Sequence, residues 1–369
     1  MPTEMQAAVL RKIGEPMEVE TVTLDDPAPD EVRIRVVGSG LCHSDLHLIN
    51  GSMPASLPVI AGHEVGGIVL EVGSEVTGLS KGDHVISCIS THCNKCSRCT
   101  SGRTWLCENR LFPGIRSASQ PKIYSEGTPI GGIGGSSGFA EQMIMHQSAF
   151  VAIDPSMPLD RAALIGCAVV TGVGAVTNAA RVQPNETCAV IGCGGIGLNI
   201  VQGAKLAGSS RIIAIDRQKT KLELALKFGA TDAIDVNQGD PVEAVLSLTN
   251  NQGIDHVFEA IGLKTTAEQA LKMTAVGGTG YLVGAMPADV NFEIPGLEFV
   301  ISDKTFRGVR MGSSNIETDF PRFVELYQQG RLLLDELIAE RITLSQINDG
   351  YENMRNGEQA RSVIVFDRS

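Results

Sequence analysis

Aromatic side chains are scarce in this sequence. Phe, Tyr and Trp make up 4% of 369 residues, and there is one Trp. Stacking platforms for single-stranded nucleic acid need such rings, so that class of function is excluded. An excess of positive charge is also missing: 30 Lys and Arg face 42 Asp and Glu, for a net charge of −12. With no basic cluster, nucleic acid and anionic membranes are poor partners, although a local pocket for a phosphate stays open. The N-terminal MPTEMQAAVLRK lacks a hydrophobic core followed by a small-residue cleavage site. The most apolar run, Ala162 to Val176, is short for a bilayer and carries three glycines, which predicts a buried segment. Neither an internal repeat nor a low-complexity tract is found. A cytoplasmic protein that does not enter a membrane is expected.

Glycine and cysteine, by contrast, are plentiful. The chain has 41 glycines, 43% hydrophobic residues and enough length for about two domains. Nine cysteines without a secretory signal point to metal or redox chemistry rather than to disulfides. Four of them, Cys93, Cys96, Cys99 and Cys107, follow the spacing C-x2-C-x2-C-x7-C. Four thiolates this close suit a closed, structural zinc site. An iron–sulfur cluster and a set of unbound thiols are the alternatives. Cys42 and His63 lie 21 positions apart and, with Cys167, would close three corners of a zinc tetrahedron. A Cys2His set leaves the fourth corner to water or substrate, the mark of a catalytic zinc.

The first part of the chain reads as strands joined by glycine turns: MQAAVLRKI, MEVETVTL, EVRIRVVGSG, GGIVLEVG and VISCI. Residues 108–137, rich in Gly, Ser and Pro, read as one long loop. Beyond Leu159 come helical segments interrupted by glycine, then strands alternating with helices, which predicts a parallel sheet with crossovers. The last stretch shows two amphipathic helical patterns and a closing strand, SVIVF.

The motif Gly192-Cys193-Gly194-Gly195-Ile196-Gly197 fits G-x-G-x-x-G. Its context strengthens it: the strand TCAVI precedes it, a helix follows, and a second strand ends on Asp216, 24 residues after Gly192. Gly192 allows the tight turn, Gly194 lets backbone approach a pyrophosphate, and Gly197 lets helix pack on strand. The start of the helix supplies amide donors for the phosphates. The Asp216 carboxylate suits ribose hydroxyls and repels a 2′-phosphate, which predicts NAD over NADP; Arg217 beside it is the group that would favour NADP.

Taken together, CHSDLH at 42–47, GHEVGG at 62–67, the four-cysteine lobe, GCAVVTGVGAV at 166–176 and GCGGIG at 192–197 closely resemble the medium-chain, zinc-dependent alcohol dehydrogenases, over nearly the whole chain. The resemblance implies an α/β chain. A mostly β, GroES-like catalytic domain, residues 1–169 and 311–369, would carry two zinc sites, and a doubly wound Rossmann domain, residues 170–310, would bind NAD. It implies Cys42, His63 and Cys167 as catalytic zinc ligands and Cys93, Cys96, Cys99 and Cys107 as structural ones. By the same resemblance Asp45 would be the carboxylate that orients His63, and Glu64 the acidic neighbour of the metal. Ser44 and His47 would form a proton relay. Thr171, Lys221 and Arg361 would be cofactor contacts, the last to the pyrophosphate. His43 stands where the family often has a pyrophosphate-binding Arg, and only protonated histidine supplies charge. NAD affinity is therefore expected to be weaker or more pH-dependent than an arginine would make it. Identical pH profiles of NAD affinity for wild type and His43→Arg, from about pH 6 to 9, would remove that expectation.

The implied reaction is reversible oxidation of an alcohol to an aldehyde or ketone. Met53 and Ile89, both apolar and pocket-lining by position, suggest a hydrophobic, primary aliphatic or aromatic alcohol. The competing readings are a dehydrogenase of S-hydroxymethyl thiol adducts and a non-enzymatic zinc- and nucleotide-binding relative. The long loop after Cys107 leans towards the dimeric branch of the family, with a tetramer as the alternative.

Overall fold

A computed structural model describes residues 2–54, 56–109, 121–356 and 361–366. The chain divides into two compact units. One comprises Met1–Cys167 and Asn315–Ser369, the other Ala168–Ser314.

The first unit holds two β structures. Thr3–Leu10, Glu18–Leu24, Ile123–Ser125, Thr128–Gly132 and Val59–Ile60 close a five-stranded barrel, in which Val9 pairs with Ile60. Inward residues at period two, such as Val22 and Leu24, fill it together with Leu10, Ile60 and Phe139. The second sheet runs in the order Phe150–Ala152, His84–Ser87, Glu64–Val72, Glu31–Gly40, Arg361–Val365 and Ile338–Ile342, and Gln142–His146 also pairs with Glu31–Gly40. In EVRIRVV the residues Val32, Ile34 and Val36 are wholly buried, and they form a second core with Val65, Val69 and Met143.

The second unit is a six-stranded, all-parallel sheet. Its order is Asp232–Asp235, Arg211–Asp216, Thr187–Ile191, Ile254–Glu259, Thr274–Leu282 and Thr305–Gly308. The strand order reverses beside Thr187–Ile191, so this strand opens on the crevice where open α/β sheets take their ligands. Helices such as Gly195–Ala207 and Lys219–Phe228 connect the strands. Their apolar faces and the inward residues Ile191, Ile213, Val257 and Ala270 make the core.

Three features depart from expectation. Within 108–137 the supposed loop contains a hairpin, Ile123–Ser125 with Thr128–Gly132, that belongs to the barrel; residues 110–120 of that loop, from which the dimer reading is drawn, lie outside the described residues. Leu159–Ala180 is a single helical run rather than interrupted pieces, with π turns at Ile165–Val169 and Ala175–Ala180. It is long and apolar enough to cross a membrane, yet 89% of its most apolar window is buried, as befits a core helix. Between the two C-terminal helices, Ile316–Gln328 and Ile347–Asn356, lies an unanticipated strand, Ile338–Ile342.

Candidate active site

Four buried side chains meet in the first unit. Cys42 follows the end of strand Glu31–Gly40 and is the N-cap of helix His43–Ile49. His63 and Glu64 stand at the start of strand Glu64–Val72, and Cys167 sits inside the π turn Ile165–Val169. One donor atom from each lies within 4.8 Å of the others. Asp45, also wholly buried, places Oδ1 3.0 Å from His63 Nδ1 and accepts the Gly62 amide N–H with the same oxygen. Nδ1 thereby donates to the carboxylate, and Nε2 is the nitrogen that a metal would take. Nε2 is buried with no hydrogen-bond partner among the described residues.

The electrostatics of the cluster call for a cation. A hydrogen bond from Cys167, then the charges of Arg361 and His63, hold Cys42 well below the ordinary thiol range against its burial. Cys167 is pushed well up by its bond to Cys42 and by burial, so the two thiols share one ionisation. Burial pushes Glu64 up to about 8, against the pull of Arg361. His63 is held well above its usual value by Asp45 and Cys42, which outweigh burial. A dication at the cluster would let both sulfurs ionise and would use the orphaned Nε2. This donor set, two thiols and an imidazole with a carboxylate beside them, fits zinc.

A second cluster gathers Cys93, Cys96, Cys99 and Cys107, also with sulfurs within 4.8 Å of one another. Cys96 Sγ is 3.5 Å from Cys99 Sγ and 4.0 Å from Cys107 Sγ, and no disulfide joins them. Backbone N–H groups of Lys95 and Cys96 draw Cys93 down to about 6, whereas burial lifts Cys99 to about 12. Four thiolates so close repel one another unless a metal sits among them. Only a four-residue helix, Ser97–Thr100, and a 3-10 turn, Thr104–Leu106, connect these ligands.

Ser44 and His47 are three apart on helix His43–Ile49 and so share a face. Both are half-buried. Ser44 Oγ is 3.7 Å from Cys42 Sγ, which places the hydroxyl at the rim of the buried cluster. His43 is exposed. Met53 is partly buried against the barrel core, and Ile89 is half-buried.

In the second unit the glycine motif forms the turn between strand Thr187–Ile191 and helix Gly195–Ala207. Gly192 has φ +93°, and a Cβ on Gly197 would stand 1.7 Å from Gly192 O, so no other residue serves at either position. A Cβ on Gly194 would meet nothing within 4 Å: the turn is open on the side where a pyrophosphate would lie. Gly195 and Ile196 begin the helix, and their amides have no partner within it. Asp216 ends the second strand and accepts N–H bonds from Cys193 at 2.7 Å and Gln218 at 3.0 Å. Arg217 is exposed, Lys221 half-buried on helix Lys219–Phe228, and Thr171 buried with Oγ1 4.0 Å from Met311 Sδ.

Comparison with known proteins agrees with this arrangement in both units. Residues 28–155 match the alcohol dehydrogenase GroES-like domain, and residues 195–329 match the zinc-binding dehydrogenase family. The chain is 36% identical over 367 residues to an NDMA-dependent alcohol dehydrogenase of Amycolatopsis methanolica, covering 98% of each. It is 36% identical over 368 residues to an S-(hydroxymethyl)glutathione dehydrogenase of Photobacterium damsela subsp. piscicida, covering 98% of this chain and 99% of that protein. This chain belongs to the zinc-dependent alcohol dehydrogenase family. Its fold is similar to that of benzyl alcohol dehydrogenase from Acinetobacter calcoaceticus, with a TM-score of 0.93 and 29% identity over 99% of this chain and 100% of that one.

In this dehydrogenase Arg361, expected as a pyrophosphate contact, is buried in the first unit. Its side chain is 3% exposed. It donates to Leu41 O at 3.0 Å and to Glu64 Oε1 at 3.1 Å, with Nη2 3.8 Å from Cys42 Sγ. The guanidinium thus lies beside Cys42 and Glu64, where it offsets negative charge. Sequence reasoning also passed over Gly40 and Tyr351. A Cβ on Gly40 would come 2.4 Å from Glu64 Oε2, so this glycine makes room for the carboxylate. Tyr351 is buried behind the cluster. Neither carries a sequence signal, because Gly40 acts on Glu64, 24 positions on, and Tyr351 on residues far earlier in the chain.

Proposed function

We propose that this zinc-dependent oxidoreductase reversibly oxidises a hydrophobic primary alcohol, aliphatic or aromatic, to its carbonyl, with NAD as the redox partner and two zincs per chain. The observation that carries the reading is the buried Cys42–His63–Cys167 set, whose imidazole nitrogen is freed and aimed by Asp45. Zinc held there would supply Lewis acidity, and NAD would supply the hydride acceptor. The rest falls to the chain. Ser44 takes the alcohol proton, and His47, one turn along the same helix, passes it to solvent. Asp45 keeps the His63 ring in one tautomer and one orientation. Arg361 neutralises charge behind the ligands, and the Cys93–Cys107 lobe is held by the second zinc. The glycine turn and the first turn of helix Gly195–Ala207 seat the pyrophosphate, Asp216 and Lys221 hold the adenosine ribose, and Thr171 sits on the nicotinamide side. Purified protein assayed for zinc, co-purified NAD and NADH formation over an alcohol panel tests the reading; absence of NADH formation with every alcohol, with and without thiols, would sink it.

The likeness to an S-(hydroxymethyl)glutathione dehydrogenase supports a second reading, in which the alcohol is the hydroxymethyl adduct of a small thiol. Formaldehyde oxidised only in the presence of a thiol would select it.

Asp216 supports NAD over NADP. A 2′-phosphate beside this carboxylate sets two like charges together, at a cost of several kcal/mol. Asp216→Ser is therefore expected to raise the ratio of kcat/KM for NADP over NAD by about 100-fold, a shift that steady-state kinetics with both cofactors would measure.

A homodimer is the proposed assembly, with a tetramer as the alternative that sedimentation distinguishes. Its support is the exposed apolar group Val276, Leu297, Val300 and Ile301 on the unit whose sheet ends in strand Thr305–Gly308. Nine cysteines, none in a disulfide, with seven buried and the other two, Cys93 and Cys96, in the four-thiol cluster, support a reducing, cytoplasmic setting.

A further inference from the structure

Two buried polar atoms of the first unit have no hydrogen-bond partner among the described residues and are chemically complementary. Asp45 Oδ2 is an acceptor, and Tyr351 Oη, on helix Ile347–Asn356, is a donor. Both side chains are almost wholly inaccessible. The tyrosine ring is fixed in place. Phe139 meets it edge-on at 6.2 Å and 70°. Phe139 in turn presses on Gly62, where a Cβ would stand 2.6 Å from Phe139 Cδ1, and the Gly62 amide is bonded to Asp45 Oδ1. Tyr351, Phe139, Gly62 and Asp45 are therefore joined in one series of contacts that ends at His63.

A buried hydroxyl left unsatisfied costs about 1–3 kcal/mol, and phenylalanine would fill the same space without that cost. Burial, then the negative charges of Asp45, Cys42 and Glu64, hold the phenol pKa well above its ordinary value, so the hydroxyl keeps its proton. One water between two such groups satisfies both.

We propose that Tyr351 is a positioning residue for the catalytic metal: its hydroxyl donates, through one buried water, to Asp45 Oδ2 and so fixes the carboxylate that orients His63. The inference rests on the zinc reading of the Cys42–His63–Cys167 cluster. Partners that orient a ligating histidine typically change metal affinity 10- to 100-fold, and a partner one step further out acts at the low end of that range.

The test uses zinc-loaded enzyme and follows release of each zinc to a chelator, together with thermal unfolding. Tyr351→Phe is expected to release the catalytic zinc about 10-fold faster, with release from the Cys93–Cys107 site unchanged. Asp45→Asn should release it at least as fast, and adding Tyr351→Phe to Asp45→Asn should change the rate less than about twofold, because the hydroxyl acts through that carboxylate. Wild-type release rates in Tyr351→Phe, with only the melting temperature altered, would overturn the proposal, as would full additivity of the two substitutions. A zinc content left unchanged by His63→Ala would overturn the zinc reading and this inference together, which separates the two failures.

Discussion

Replacing His63 by alanine is expected to remove one of about two zincs per chain and to lower kcat/KM by about a thousandfold or more. Deleting the imidazole takes away a proposed zinc ligand and leaves the Asp45 carboxylate buried without its imidazole partner. The Lewis-acid contribution of a bound metal is several kcal/mol, and every 1.36 kcal/mol is about tenfold in rate. Metal analysis and steady-state kinetics on the same preparation check both halves of the expectation. Retention of the Cys93–Cys107 zinc shows that the fold has survived. A variant with wild-type zinc content, or with activity within about tenfold of wild type, would contradict the site.

A second large effect is expected at the other cluster, on stability rather than on chemistry. Cys107→Ser should empty the four-thiolate site and unfold the 93–109 segment while the catalytic zinc stays bound. This lobe has little core of its own: Cys99, Thr104 and Cys107 are its buried residues in helix and turn, and Leu106 is 38% exposed. Binding energy of a structural zinc is folding energy, about 10 kcal/mol or more in small metallo-domains. Only the part shared with the rest of the unit appears in global unfolding. A loss of about 3 kcal/mol would lower Tm by roughly 6–12 °C in a domain of this size. Calorimetry would measure that shift, and limited proteolysis should cut between Cys93 and Asn109 in the variant before it cuts elsewhere.

The cofactor unit was the most legible part of the sequence. Its strands are short apolar runs, its helices are amphipathic, and the glycine motif lies between a strand and a helix, so local pattern and tertiary role coincide. The barrel hairpin was not legible, for a local reason. Its two-residue turn, Glu126-Gly127, has φ +47° and +78°, the backbone that usually shows itself as Asn-Gly or Asp-Gly. Glutamate at the first position hides it, and TPIGG does not look like a strand. Strand Ile338–Ile342 was hidden in the same way, with five residues between two strong helical patterns. At the metal cluster the donor residues were visible as motifs. The contact of Arg361 with Glu64 was not, because the two lie 297 positions apart and no periodicity reports a contact over that distance. Tyr351 reads simply as the apolar face of a helix. Its hydroxyl acquires meaning only once Asp45 Oδ2 is seen to lack a partner.

The pairing of Arg361–Val365 with Gly38–Gly40 has a consequence for the order of assembly during synthesis. Cys42, His63 and Cys167 leave the ribosome first, followed by the whole of the second unit, and Arg361 comes last. At about 5–20 residues per second, the interval between Cys167 and Arg361 lasts roughly 10–40 seconds. During that time the nascent cluster has its sulfurs and its imidazole but no guanidinium behind Glu64, while the inserted parallel sheet has all of its strands available and can complete its own folding.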